Sequence, residues 1–370
     1  MKRHLRWALL LSLSVLVAGC GGTDGGGAGG GGGTPTGGGS AAGKKSDLKV
    51  GLVTDVGGVG DQSFNMMANQ GLEKAKSELG VEAMLVESQQ ASDYSSNLQR
   101  MAEKGCKLVF AVGFSLAPAV KEIAARYPDT QFAIIDSAEP TASNVANLVF
   151  KEEEGSFLVG MLAGGMSKSG KIGFVGGMEI PLIKKFEAGY RAGARTANPS
   201  ATVAAKYTNN WTDVSKGKEL ALSLFNEGAE VVMHASGQCG LGVIEAAKQK
   251  GPGFWAIGVD ADQDHLGTAD SKNPAAPSRV LTSMLKRVDA AVFDTIKHVS
   301  DGSFKGGQQI FGVKDGGVGL SPLKYTKADI PEKLLAEVAR MEKAIAAGEV
   351  KPPSTLEEEA AFKAPTVSLK

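Results

Sequence analysis

The feature that most constrains the fold is an alternation of short apolar runs with helical patterns that starts over once, midway along the chain. The runs Leu48–Val53, Ala83–Val86, Leu108–Val112, Phe132–Ile135 and Ala146–Phe150 are of strand length and rich in β-branched residues. Between them, Asn65–Leu79, Ser95–Lys104 and Ala117–Tyr127 carry apolar residues at helical spacing. A second series begins near Glu152: helix Gly155–Met166, strand Lys171–Val175, helix Pro181–Ala197, strand Val203–Tyr207, helix Val214–Asn226, strand Val231–Ala235, helix Leu241–Lys250 and strand Trp255–Val259. Strands buried on both faces and joined by helices are βαβ units of a parallel sheet, so the class is α/β.

Two doubly wound halves can form one large sheet or two facing lobes. The tail favours two lobes, because strand Ser278–Leu281, helix Lys286–Val299, the apolar run Ile310–Val313 and a last amphipathic helix around Ile330–Ala347 need the chain to cross more than once. Crossings near residues 148, 280 and 303 make a hinge of two or three strands. The expected organisation is 48–147 plus 280–302 for the first lobe, 148–279 plus 303–350 for the second, and 351–370 as a C-terminal tail. In such a fold the ligand lies in the cleft at the carboxyl ends of the strands.

The chain begins with an export signal. Lys2, Arg3 and Arg6 precede the apolar run Ala8–Val17, which closes on Ala18-Gly19-Cys20. A basic start, a short apolar stretch and small residues before a cysteine read as a lipoprotein signal over residues 1–20, with Cys20 as the acylated N-terminus. Residues 21–47 are largely glycine up to Gly43 and form a flexible tether. The expected location is the extracytoplasmic face of the cell membrane, held by lipid. The longest later apolar run, Phe157–Met166, is half the length of a membrane span.

Forty basic and forty acidic residues give no net charge, so no broad nucleic-acid surface is expected and the ligand is small. Neither CxxC nor HExxH occurs and the four histidines are scattered, so neither a metal nor another cofactor is expected. Cys106 and Cys239 read as two unrelated buried thiols.

The candidate site follows from strand ends. The first βα turn, Thr54-Asp55-Val56-Gly57-Gly58-Val59-Gly60-Asp61-Gln62-Ser63-Phe64-Asn65, has glycines for close approach, but its spacing is not G-x-G-x-x-G and its aspartates would repel a pyrophosphate. Acidic groups beside an aromatic suit a neutral ligand rich in hydroxyl and N–H donors; the plainer alternative is Asp61 as helix cap and Phe64 as core. Asp136, Asp260, Gly237 and Gly113-Phe114-Ser115 each follow a strand and so face the cleft. Trp211, in a polar loop past a strand of the second half, matches Phe64 in the first, and the two could sandwich a planar base. An enzyme reading would use Ser115 as nucleophile in a strand-to-helix turn, with His234 or His265 as base, but Ala117 stands where the elbow motif needs glycine.

Three segments together resemble a known family: Gly51–Asp55 with Gly60–Asn65, Phe186-Glu187-Ala188-Gly189-Tyr190-Arg191-Ala192-Gly193, and Lys314-Asp315-Gly316-Gly317-Val318-Gly319. They are similar to the basic membrane protein family of bacterial lipoproteins, the substrate-binding proteins of nucleoside ABC importers. The resemblance implies a type I periplasmic-binding-protein fold, a monomeric receptor for purine nucleosides, and partnership with permease and ATPase subunits. It further implies Phe64 and Trp211 as the stacking pair, Asp136 as reader of the base edge, Asp260 and Lys286 as the ribose-binding pair, backbone contact from Gly237, and contacts from Asp55 and Asn65. A sugar or autoinducer receptor of the same fold is the alternative within binding proteins, and a hydrolase using Ser115 the alternative from another class.

Overall fold

A computed structural model describes residues 46–268, 270 and 277–369. The signal segment with Cys20, nearly all of the tether, and the stretch near Asn273 lie outside the described residues.

In chain order the first half runs β1 (Lys49–Val53), α1 (Phe64–Leu79), β2 (Glu82–Val86), α2 (Tyr94–Glu103), β3 (Leu108–Val112), α3 (Ala117–Arg126), β4 (Gln131–Ile135) and β5 (Val145–Phe150). The second half repeats the pattern with α4 (Glu152–Met166), β6 (Lys171–Gly176), α5 (Pro181–Ala197), β7 (Thr202–Tyr207), α6 (Val214–Asn226), β8 (Val231–Ala235), α7 (Cys239–Lys250), β9 (Trp255–Asp260) and β10 (Val280–Lys286). Then follow α8 (Val288–Ser300), β11 (Gly307–Phe311), β12 (Val318–Leu320), α9 (Glu332–Ala346) and α10 (Leu356–Ala361). Central strands such as β3 and β8 are buried along their whole length, as a sheet covered by helices on both faces requires.

Two six-stranded sheets result, ordered β11-β5-β4-β3-β1-β2 and β12-β10-β9-β8-β6-β7. Pairing is parallel throughout except where β12 runs antiparallel to β10. The two inner orders, 2-1-3-4-5, are the same, so the restart seen in the sequence is a repeat of one doubly wound unit.

Sheet pairing corrects the expected lobe boundaries. Val280–Lys286, assigned by sequence to the first lobe, is β10 of the second sheet, while Gly307–Phe311, assigned to the second, pairs with β5 in the first. The chain therefore crosses at residue 151, at residue 287 and through 312–317. α8 returns to pack on α1 in the first lobe, and α9 packs on α4 in the second. Lys286 is accordingly the last residue of a strand, where the sequence suggested a helix start. Apolar character marks a strand as buried but does not say which sheet edge completes it.

The segment Phe186–Gly193 has a packing reason. A Cβ on Gly193 would sit 1.9 Å from the Phe157 carbonyl oxygen, and one on Gly189 2.2 Å from that of Glu153. These glycines let α5 lie directly on α4, whose apolar run is thereby buried inside the second lobe. Among the described residues no helix is long and apolar enough to cross a membrane. The C-terminal segment docks on the same lobe, with Phe362 edge-on to Phe157 at 5.9 Å and Arg195 donating to the Glu359 carbonyl at 2.7 Å. Cys106 and Cys239 are both buried and free, one in each lobe.

Candidate functional site

In a 2-1-3-4-5 sheet the connections leaving strands 1 and 3 diverge to opposite faces and open a crevice at the strands' carboxyl ends. Here two such crevices face each other and enclose a cavity of about 620 Å³, mouth included. Asp55 after β1, Gly113 and Phe114 after β3, Asp136 after β4, and Phe64 and Asn65 at the start of α1 form one wall. Trp211 after β7, Ala235–Gln238 after β8, Asp260 closing β9 and Lys286 closing β10 form the other, together with Leu182, Ile183 and Phe186 of α5.

Every expected contact residue except Ser115 lines this cavity. Ser115 is exposed on the loop beyond β3 and falls outside it, a correction to both its binding and its nucleophile readings. The hydroxyl misses because the chain turns at Gly113 (φ 108°) into a short 3-10 turn that carries Phe114 to the cleft and Ser115 away from it. His234 is committed elsewhere, its Nε2 lying 3.0 Å from Gln263 Oε1.

On the first wall, acceptors are aligned and mostly held. Asp61 accepts from the backbone N–H groups of Ser63, Asn65 and Met66 at 3.0, 2.7 and 3.1 Å, so it caps α1 as the plainer reading held. Asn65 Nδ2 donates to Asp55 Oδ1 at 2.9 Å and to Asp61 Oδ2 at 3.1 Å, which fixes the amide's orientation. Its Oδ1 is buried and unpartnered. Burial lifts Asp55 to about 6 even though Gly57 N–H and Asn65 donate to it.

Lys286 is 1% exposed, with its Nζ 2.6 Å from Asp136 Oδ2 and 3.4 Å from Glu152 Oε1. Burial opposes its charge, but Asp136, Glu152 and Asp260 outweigh burial and hold the ammonium above its ordinary range. Its Nζ also lies 5.0 Å from the Phe64 ring centroid. Burial pushes Asp136 up while the adjacent ammonium pulls it back toward the ionised form. Asp136 Oδ1, like Asn65 Oδ1, has no partner.

Asp260 and Lys286, which the resemblance implies as the ribose-binding pair, both line the cavity. Both residues belong to the second sheet, and the ion pair of Lys286 is with Asp136 across the cleft. Asp260 instead accepts a 2.5 Å hydrogen bond from Ser63 Oγ of the first lobe. Burial lifts Asp260 to about 7, against the influence of Lys286 and Ser63. Asp136 and Asp260 both adopt left-handed backbone (φ 65° and 63°), a cost accepted where a side chain must turn into a cleft.

Trp211 packs edge-on to Phe114 at 6.4 Å. A Cβ on Gly177 would sit 2.1 Å from Trp211 Cζ3, so glycine there makes room for the indole. Gly237 (φ 56°) passes beside the same ring. Phe114 was placed at the cleft by the strand-end reading, whereas Gln238, Ser236 and Phe186 were not picked out by sequence; Gln238 and Ser236 adjoin Gly237, which was, while Phe186 reaches the cleft from a helix, for which strand-end reasoning has no signal.

A family model described as ABC transporter substrate-binding protein PnrA-like matches residues 48–353. The CD4+ T-cell-stimulating antigen of Listeria monocytogenes is 36% identical over 318 residues, covering 83% of this chain and 88% of the relative. The ABC transporter nucleoside-binding protein BmpA of Lactococcus lactis subsp. cremoris is 37% identical over 287 residues, covering 75% and 82%. Among solved structures, an ABC transporter solute-binding protein from Aeropyrum pernix K1 superposes with a TM-score of 0.75 at 28% identity, covering 85% of this chain and 96% of that one. With the family model matching most of its length and its lobes built on the type I periplasmic fold around a common cleft, this chain belongs to the PnrA-like substrate-binding proteins of ABC transporters.

Proposed function

We propose that the protein captures purine nucleosides, with guanosine and inosine preferred, and delivers them to the permease and ATPase subunits of its transporter from a lipid anchor at Cys20. The observation that carries the ligand assignment is the pair of unpartnered buried acceptors, Asn65 Oδ1 and Asp136 Oδ1, among the cavity-lining residues that include Phe64 and Trp211. A planar base stacked on the aromatics would meet acceptors at Asn65 and Asp136, because the Asn65 amide hydrogens already serve Asp55 and Asp61. Guanine and hypoxanthine carry N1–H at that edge, and guanine adds its exocyclic amine. Adenine would set a bare N1 against the carboxylate, at a cost of about 1–3 kcal/mol. The nucleoside name of the Lactococcus relative agrees with this reading. The ribose is assigned to Asp260, whose carboxylate can accept from a hydroxyl pair.

Isothermal titration of guanosine, inosine, adenosine, uridine and free ribose tests the assignment. Guanosine and inosine are expected to bind most tightly, and ribose should bind far more weakly. Ribose binding as tightly as guanosine would transfer the site to a sugar receptor, and adenosine matching guanosine would remove Asp136 and Asn65 from base reading.

A further inference from the structure

Outside the ligand-lining residues, two buried polar side chains, Ser63 and Gln263, make hydrogen bonds between the lobes. Gln263, completely buried just beyond β9, donates through Nε2 to the backbone carbonyl of Gln62 in the first lobe at 3.0 Å. Its Oε1 accepts from Val259 N–H at 3.1 Å, and its own N–H donates to Ser283 Oγ at 3.0 Å. The amide could in principle turn over and present Oε1 to the Gln62 carbonyl, which would repel it. Val259 N–H, which needs an acceptor there, opposes that, and His234 reinforces the constraint.

His234 Nε2 lies 3.0 Å from the same Oε1. Because Val259 N–H identifies that atom as the acceptor, the imidazole proton must sit on Nε2 and point at Gln263. The ring cannot swing away: a Cβ on Gly240 would lie 2.0 Å from His234 Cε1, so α7 presses its glycine against the imidazole. Burial holds His234 down near 4, keeping it neutral at physiological pH. On the first-lobe side, Gln62 adopts a left-handed backbone (φ 55°), part of the turn that brings its carbonyl to the second lobe. The next residue, Ser63, makes the 2.5 Å bond to Asp260. Residues 62–63 of one lobe thus grip residues 260–263 of the other at two points.

We propose that Gln263 is a latch that holds the lobes together, and that His234 is the positioning residue that aims it. The hydrogen bond to Gln62 exists only with the lobes closed, so it shifts the open–closed balance and slows ligand escape without touching ligand. The kinetic part of this inference rests on the nucleoside assignment.

The test compares wild type with Gln263→Leu, Gln263→Glu at pH 8.5 and His234→Leu by stopped-flow release of guanosine. Losing one closed-state bond should speed release about five- to tenfold with association unchanged, and His234→Leu should give a smaller acceleration that vanishes in the Gln263→Leu background. Unchanged release in both Gln263 variants, or full additivity of His234→Leu with Gln263→Leu, overturns the latch. Circular dichroism melts confirm that each variant is folded; agreement between the Leu and Glu variants separates latch loss from a local cavity or a buried charge. If wild type itself fails to bind guanosine, the nucleoside assignment falls. The latch is then judged on ligand-free protein, by paramagnetic relaxation between spin labels on Glu103 and Gln249, both exposed and in opposite lobes. A smaller closed population in the Gln263 variants sustains it, and equal populations overturn it.

Discussion

Lys286 Nζ, at the end of the second sheet's β10, lies 2.6 Å from Asp136 Oδ2, just past the first sheet's β4. The contact joins the two lobes at the floor of the cleft and fixes one carboxylate oxygen while leaving the other without a protein partner. Removing one partner of a buried pair leaves the other uncompensated. Lys286→Met, which strips the ion-pair partner from Asp136 while Glu152 keeps Lys185 at 2.6 Å, is predicted to cost about 3–5 kcal/mol of stability in a denaturant melt. A loss under about 1 kcal/mol would show that the pair is well solvated in solution.

Asp136→Asn should change which purine is preferred. Its Oδ1 would remain toward Lys286 and its Nδ2 would turn to the ligand, offering a donor where wild type offers an acceptor. Adenosine is expected to gain on guanosine by about tenfold or more in titration calorimetry. An unchanged ratio would mean that Asp136 faces another part of the ligand.

Trp211→Ala should weaken guanosine by about 1–3 kcal/mol with little change in melting temperature. Gly177→Ala provides an independent check, since its methyl would occupy the place of the indole edge. It should displace Trp211 and weaken binding similarly while leaving the tryptophan in the chain. A large loss of folding stability in Trp211→Ala, with affinity intact, would assign the ring to the core.

The pH dependence of binding should follow Asp260. Burial raises its carboxyl from 3.8 to about 7, with Asp136, Asp61 and Lys286 as its charged neighbours. A ribose hydroxyl pair donates only to the ionised form, so affinity should be full near pH 8 and fall as pH drops through 7, with proton release on binding at neutral pH. For the ligand-free fold the same shift has the opposite sign: a raised carboxyl binds its proton more tightly when folded, so its stabilising contribution is present below about pH 4 and is lost as pH rises through 7. Affinity that is flat from pH 5.5 to 8 would remove Asp260 from hydroxyl recognition.

The alternation of apolar runs and amphipathic helices determined the class, the repeat and nearly every strand, because burial on both faces leaves a local imprint that no tertiary context needs to supply. The strand-end rule likewise placed Asp55, Asp136, Trp211, Gly237 and Asp260 at the cleft, since a parallel strand's carboxyl end faces the same way wherever it sits in its sheet. What only the tertiary structure decided was partnership. β10 and β11 exchanged lobes relative to the sequence assignment, because edge pairing depends on hydrogen bonds between residues far apart in the chain. That exchange set Lys286 against Asp136 across the cleft, and one turn of backbone at Gly113 brought Phe114 in and carried Ser115 out. Residue type set what each group can accept or donate; the packing of two sheets against each other decided which of those capacities were used up inside the protein and which were left for a ligand.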